Sequence, residues 1–401
     1  HPMMPATLDD DFGTKGTNVL SITSGVDDIH DMTVLDDGKI LAVGAVNDRF
    51  GIMRFNADLT LDSTFGSGGS TQVDFGAGTH AHSFAIDSSG RIVVTGAAYI
   101  ARFTPDGNLD TSFDGDGFVF DHDLAHGQDV TFQANGQILV GGRDSNAMRA
   151  SSYTADGVRV GHYSYDMYGD GGDYGRGVIA RDDGDVLLAG RVYDNYNKHY
   201  HGVVRLDFNG NHEWNNHFDI GGGSSEFIDS ILELPDAKFL TIGRSDGEVA
   251  VTRHLPGGEL DTSFGNSGVV ELPVLNADDK GMRATLAADG KILITGYSHN
   301  GTNEDLTVIR LNHDGSVDST FGTNGSVSFD MSNGGNDYGY AIASLADGKI
   351  LVAGRAGDDI ALVRLLGDSD QTAAAANEAP VNSVPGAQTT LVNQPLAFTD
   401  Y

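Results

Sequence analysis

The chain has no cysteine, nine prolines and one tryptophan in 401 residues, and only 24 lysines and arginines against 57 aspartates and glutamates. Without cysteine there is no disulfide, thiolate metal site or cysteine nucleophile, so packing, hydrogen bonds and bound ions must hold the fold. The shortage of basic residues leaves a formal net charge of −33. Such a field repels phosphate backbones and anionic lipid, which argues against nucleic-acid binding and makes cations the natural partners. No run approaches the roughly 18 apolar residues of a membrane span, so no membrane insertion is expected. The start His1-Pro2-Met3-Met4 lacks the basic and apolar stretches of a secretion signal, and the expectation is a soluble or already processed segment.

Glycine is abundant instead, with 55 residues falling at recurring offsets inside short apolar runs. One phrase, Gly-Lys-Ile-Leu-x-x-Gly, runs from Gly38 to Gly44 and returns ending at Gly96, Gly142, Gly190, Gly243, Gly296 and Gly354. The intervals between the seven starts are 52, 46, 48, 53, 53 and 58 residues, with Ala237 replacing one starting glycine. A period of this size suits four short strands and their turns. A second phrase, Leu-Asp-x-x-Phe-Gly-x-x-Gly, occurs at Leu8–Gly16, Leu61–Gly69, Leu260–Gly268 and, starting on valine, Val317–Gly325, with a variant at Leu109–Gly117; it is missing between residues 150 and 235.

The apolar runs are short, β-branched and bounded by Gly, Asp and Asn, which predicts antiparallel strands joined by Asp-Gly turns and excludes a helical fold. The termini choose between a solenoid and a ring. The last repeat stops at Leu366 without its Phe-Gly phrase and fourth strand, and the chain begins with those pieces, from Leu8 to Thr23. The expected fold is all-β, a seven-bladed propeller of four-stranded antiparallel blades over residues 8–366, with the N-terminal strand completing the last blade and no long edge left unpaired.

On these two phrases, together with Arg102-Phe-Thr-Pro-Asp-Gly107 and Arg310-Leu-Asn-His-Asp-Gly315, the sequence resembles the delta-60 repeat family of bacterial secreted and surface proteins. The resemblance implies a β-propeller and an extracellular or cell-surface setting, and supplies no catalytic residues. Residues 367–379 read as a polar, Ala-rich linker. Residues 380–401, with Pro380, Pro385 and Pro395, look like the opening of a cadherin-like or immunoglobulin-like adhesin module, so further β-sandwich modules of the same chain are expected to follow.

Two groups of residues stand out as candidate sites. The fourth repeat is rich in aromatic residues: Tyr163, Tyr165, Tyr168 and Tyr174 enter it, Tyr193, Tyr196, His199, Tyr200 and His201 follow its second strand, and Trp214 stands where the Leu-Asp phrase would be. Rings among Asp, Asn and Gly suit a saccharide, which stacks its C–H faces on them, although the same rings could simply pack blades where the usual Phe is missing. Acidic residues precede the axial strand in most repeats, at Asp28, Asp31, Asp129, Asp173, Glu226, Asp229, Asp279 and Asp337. Converging at the channel mouth they could bind Ca²⁺, as could Asp114 and Asp116; solvated surface charge is the alternative.

The pairs His80/His82 and His199/His201 are spaced to share a strand face, but no third zinc ligand is identifiable beside them. No Gly-x-Ser-x-Gly elbow, phosphate loop or His-Glu-x-x-His occurs. The reading is a non-enzymatic recognition or scaffold domain of an adhesin-like surface protein, with no required cofactor, possible calcium, and a glycan or other surface ligand. A polysaccharide-acting propeller enzyme and a rigid protein-docking spacer are the alternatives.

Overall fold

A computed structural model describes residues 8–367 except 10, 145, 168, 170, 171, 195, 197, 208, 223, 224 and 274–278. Tyr168, linker residues 368–379 and the expected module at 380–401 lie outside the described residues.

Twenty-eight strands form seven four-stranded antiparallel sheets, each a meander of consecutive strands except the last. In that sheet Thr17–Leu20 pairs with Asp359–Leu365, placing Thr17 opposite Val363 and Leu20 opposite Ile360. Asp9 also accepts a hydrogen bond from the Arg364 side chain at 2.7 Å. The ring therefore closes between the two ends of the chain, as the sequence predicts. Among the described residues there is no helix.

The final glycine of the Gly-Lys-Ile-Leu-x-x-Gly phrase is required by a close approach. A Cβ at Gly44, Gly96, Gly142, Gly190, Gly243, Gly296 or Gly354 would overlap the carbonyl oxygen of Asp28, His80, His126, Tyr174, Phe227, Lys280 or Tyr338, on the innermost strand of the same blade or, for His80, just before it. Immediately after this contact the inner strand bulges. In six blades the register slips by one residue, for instance between Ile29 and Asp31 and between Gly127 and Asp129. An extra residue bends the strand and re-aims one side chain, so every bulge turns a residue toward the axis.

The Leu-Asp-x-x-Phe-Gly phrase locks each blade to its neighbour. Asp318 Oδ1 accepts the Thr320 amide and hydroxyl, while its Oδ2 accepts Arg310 Nε at 2.7 Å and meets Lys291 Nζ at 3.0 Å. The Arg310 guanidinium lies over the Phe321 ring, 4.7 Å from its centroid. The same Arg–Asp–Phe arrangement recurs in Arg54–Asp62–Phe65, Arg102–Asp110–Phe113, Arg253–Asp261–Phe264 and Arg364–Asp9–Phe12. Each Phe is buried, and Phe65, Phe113 and Phe264 press on Gly107, Gly157 and Gly315 in the next blade's turn. Where the phrase is missing, Tyr163 covers Gly210 and Trp214 covers Gly258 in the same way.

Candidate functional site

Lining up the blades on the second-strand glycine places the bulge residue, or in blade two its counterpart His82, fourteen positions before it: His30, His82, Gln128, Arg176, Asp229, Met282 and Tyr340. All seven line one axial cavity of about 340 Å³ together with His126, Asp129, Arg143, Ser230 and Arg283. A saccharide- or metabolite-sized site needs roughly 300–1,000 Å³. The ring is chemically mixed, and its two sides differ in charge.

On the side of blades three to five, Arg143 and Arg176 line the cavity, and a chain of arginines and aromatic rings runs on from Arg143. Arg143 and Arg191 each sit 4.2 Å from the Tyr174 ring centroid, on a ring shared between them; Arg191 also covers Tyr193 and Phe227, and Arg244 covers Phe227 at 4.2 Å. Arg176 donates to Gln128 at 3.0 Å. Among the described residues, none of Arg143, Arg176, Arg191 and Arg244 has a carboxylate partner, whereas 13 other arginines do. The Nε atoms of Arg191 and Arg244 are buried with no hydrogen-bond acceptor. Burial first, then the neighbouring Arg176, pull the Arg143 and Arg191 guanidiniums below their ordinary range. A chain with a net charge of −33 thus concentrates uncompensated positive charge at its axis.

On the side of blades seven, one and two, His30 stacks on His82 at 5.3 Å and on Tyr340 at 4.8 Å. His30 Nε2 and His80 Nδ1 both approach Asp28 Oδ2, at 3.2 and 3.5 Å. Burial would raise the Asp28 carboxyl, but the two imidazoles and the Ala45 amide bring it down to about 2. Burial pushes the His82 imidazole down to about 3, so this ring is neutral. Burial also raises the Tyr340 phenol far above its usual range.

The predicted aromatic residues separate into three groups. Tyr174, Tyr193 and His199 belong to the arginine–aromatic cluster, with His199 packing on Tyr193 and Phe227. Tyr165, Tyr196 and Tyr200 are on the outer surface: Tyr165 stacks on His212, Tyr196 is 90% exposed, and Tyr200 donates to Asp194. Tyr163, Trp214 and His201 are structural instead. Tyr163 and Trp214 take the place of the missing Phe, and His201 is buried with its ring bonded to the Arg244 carbonyl.

Of the predicted acidic residues only Asp129 and Asp229 line the channel, because the bulge separates the others into different positions. Asp173, Glu226 and Asp337 bind the loop before their strand by accepting the amides of Met167, of Ile220 and Gly221, and of Met331 and Ser332. Asp279 is buried at the equivalent position. Asp31 and Asp129 tie blades together: Asp31 takes the Phe84 amide, and Asp129 takes the Ser83 hydroxyl and the Val178 amide. Asp229, the bulge residue of its blade, reaches the cavity beside Asp129 and pairs with Lys280 at 3.0 Å. Asp114 and Asp116 are exposed in the Phe113–Gly117 loop. Asp337 gathers with Asp305 and Asp330, oxygens within 4.8 Å of one another, and its buried Oδ1 lacks a hydrogen-bond partner.

The geometry defines a seven-bladed propeller with a polar axial cavity, cationic on one wall and histidine-rich on the other. Segments 35–65, 88–113, 287–321 and 345–370, on blades one, two, six and seven, match the family described as "Domain of unknown function (DUF5122) beta-propeller". Virginiamycin B lyase from Staphylococcus aureus shares the fold with a TM-score of 0.57 at 16% identity, over 87% of this chain and 99% of that one. A catalytically inactive variant of that enzyme with quinupristin gives 0.56 at 16% identity over the same shares. YCF48 bound to D1 peptide gives 0.51 at 13% identity, over 92% of this chain and 99% of that one. No curated protein matches the chain in sequence.

Proposed function

We propose that the propeller is an extracellular recognition domain whose axial cavity binds an anionic, ring-bearing ligand, with the terminal residues of an acidic oligosaccharide as the best fit. The observation that carries this reading is the set of four arginines without carboxylate partners, of which Arg143 and Arg176 line the cavity and Arg191 and Arg244 follow from Arg143 through the shared Tyr174 and Phe227 rings. Charged guanidiniums held on aromatic faces are partly compensated, and a carboxylate offers them a stronger, bidentate partner. The overall charge repels anions, so selectivity comes from this local reversal of sign. With Tyr174 sandwiched by Arg143 and Arg191, Tyr193 is the ring a saccharide would stack on and an inorganic anion could not use.

The test is calorimetric titration with trigalacturonate and with neutral maltotriose. Trigalacturonate binding that weakens with salt and falls at least tenfold in Arg143→Ala and Arg191→Ala supports the reading, and equal binding of the two sugars contradicts it.

The enzymatic alternative draws on the position of His82. With Nδ1–H donated to the Gly127 carbonyl at 3.2 Å, its Nε2 is an unprotonated base in the wall of the same cavity. An imidazole pulled down to about 3 is a weak base, which favours recognition over proton abstraction. Unsaturated product, seen as rising ultraviolet absorbance on incubation with polygalacturonate, would reverse that preference. The calcium proposal narrows to Asp305, Asp330 and Asp337, where a hard cation would satisfy the unpartnered Asp337 oxygen.

A further inference from the structure

We propose that Asp28, His30 and His80 form a binding site for a divalent transition-metal ion of the zinc class. The proposal is independent of the anion site and stands or falls without it.

The donor atoms are already at ligand spacing. Two ligands about 2.0–2.2 Å from a tetrahedral zinc ion lie roughly 3.3–3.5 Å apart. Asp28 Oδ2 is 3.2 Å from His30 Nε2 and 3.5 Å from His80 Nδ1, and all three atoms lie within 4.8 Å of one another. Two imidazoles and one carboxylate suit zinc, iron(II) or cobalt(II) far better than calcium, which takes an all-oxygen shell.

His80 lies between two carboxylates, with Nδ1 toward Asp28 and Nε2 3.0 Å from Asp48 Oδ1. With a metal ion held at Nδ1, the Asp48–His80 contact becomes the carboxylate–histidine pair that orients metal-bound imidazoles.

The surroundings hold these donors in place. Asp28 Oδ1 accepts the Ala45 amide at 2.7 Å, which directs Oδ2 toward the histidines. The Asp28 side chain is 2% exposed, against 24% for His30 and 17% for His80. His30 is the bulge residue of blade one and lines the cavity. His80 is fixed by its neighbour, since the Ala81 amide donates to the Gly44 carbonyl at 3.0 Å. A metal with three protein ligands keeps at least one position for water or another ligand, and this one would lie in the cavity wall.

The experiment uses the whole chain, free of any affinity tag and freed of metal with a chelator, with no saccharide present. Cobalt(II) is titrated by its visible absorption, and zinc is then added as competitor. The proposal predicts one equivalent of cobalt per chain, displaced by zinc, with affinity at least 100-fold weaker in His30→Ala and in His80→Ala. Asp48→Asn weakens binding about 10- to 100-fold through loss of the orienting carboxylate. His122→Ala, on an exposed histidine elsewhere, leaves binding unchanged, and circular dichroism shows that each variant is folded. Absence of a cobalt spectrum at millimolar metal, or equal affinity in wild type and both ligand variants, overturns the proposal.

Discussion

Replacing Asp318 with asparagine tests the inter-blade lock. Asn keeps an oxygen for the Thr320 amide but removes the negative charge from beside Arg310 Nε and Lys291 Nζ, at 2.7 and 3.0 Å, leaving Lys291 the more distant Asp289 at 3.4 Å. Asp318 and Arg310 are each 4% exposed, so solvent does little to replace the lost partner. Breaking a buried pair from one side costs about 3–5 kcal/mol. A second route uses the Asp318 carboxyl: burial would raise it, and the Thr320 hydroxyl, Lys291 and Arg310 together bring it down to about 2. Against an unfolded value near 3.9 that shift corresponds to about 2–3 kcal/mol. The two routes meet at about 3 kcal/mol, lost from the urea-unfolding free energy followed by circular dichroism. Because the folded pKa is depressed, this stability is complete above the unfolded value and disappears as pH falls toward 2. The deficit of Asp318→Asn must therefore be full at pH 6 and shrink below pH 4. A deficit under about 0.5 kcal/mol at pH 6, or one unchanged at pH 3, would refute the reasoning.

Further outcomes follow from single contacts. Ala237 occupies the left-handed region at φ 62°, where its repeat counterparts are glycine; Ala237→Gly should stabilise by about 0.5–1 kcal/mol, read as a rise in thermal midpoint. Tyr163→Ala should cost about 3 kcal/mol in the same urea assay by emptying the plug over Gly210. Burial lifts the Glu226 carboxyl to about 7. A raised carboxyl favours folding below its unfolded value and loses that contribution as pH climbs past 7, so Glu226→Gln should gain about 2 kcal/mol over wild type at pH 8 and none at pH 4.

The blade architecture is legible in the sequence because its causes are local and repeated. A glycine that cannot carry a Cβ, a turn glycine with positive φ and a Phe that plugs the next blade each leave the same letter at the same offset. Ring closure is legible because strand and phrase are divided between the termini. The arginine that grips the Leu-Asp phrase was visible in the repeat at Arg102 and Arg310, but its partner lies eight residues on and only the fold brings them together.

The site was hidden for a different reason. The bulge shifts the inner strand by one residue, so carboxylates that look equivalent, such as Asp173 and Asp229, face a loop and the cavity respectively. The channel residues share a position and nothing else, since His, Gln, Arg, Asp, Met and Tyr all occur there. Counting fourteen residues back from the second-strand glycine would have collected them, but attention to chemical type could not. Likewise His80 was paired with His82 by sequence spacing, while its neighbours in space are Asp28 and His30.

The most direct test of the central claim is a crystal structure of the protein with trigalacturonate. The account predicts a sugar carboxylate within hydrogen-bonding distance of at least two of Arg143, Arg176, Arg191 and Arg244, with a pyranose ring on Tyr193. Trigalacturonate bound on the outer surface at Tyr196 and Tyr200, with the axial arginines untouched, would contradict it.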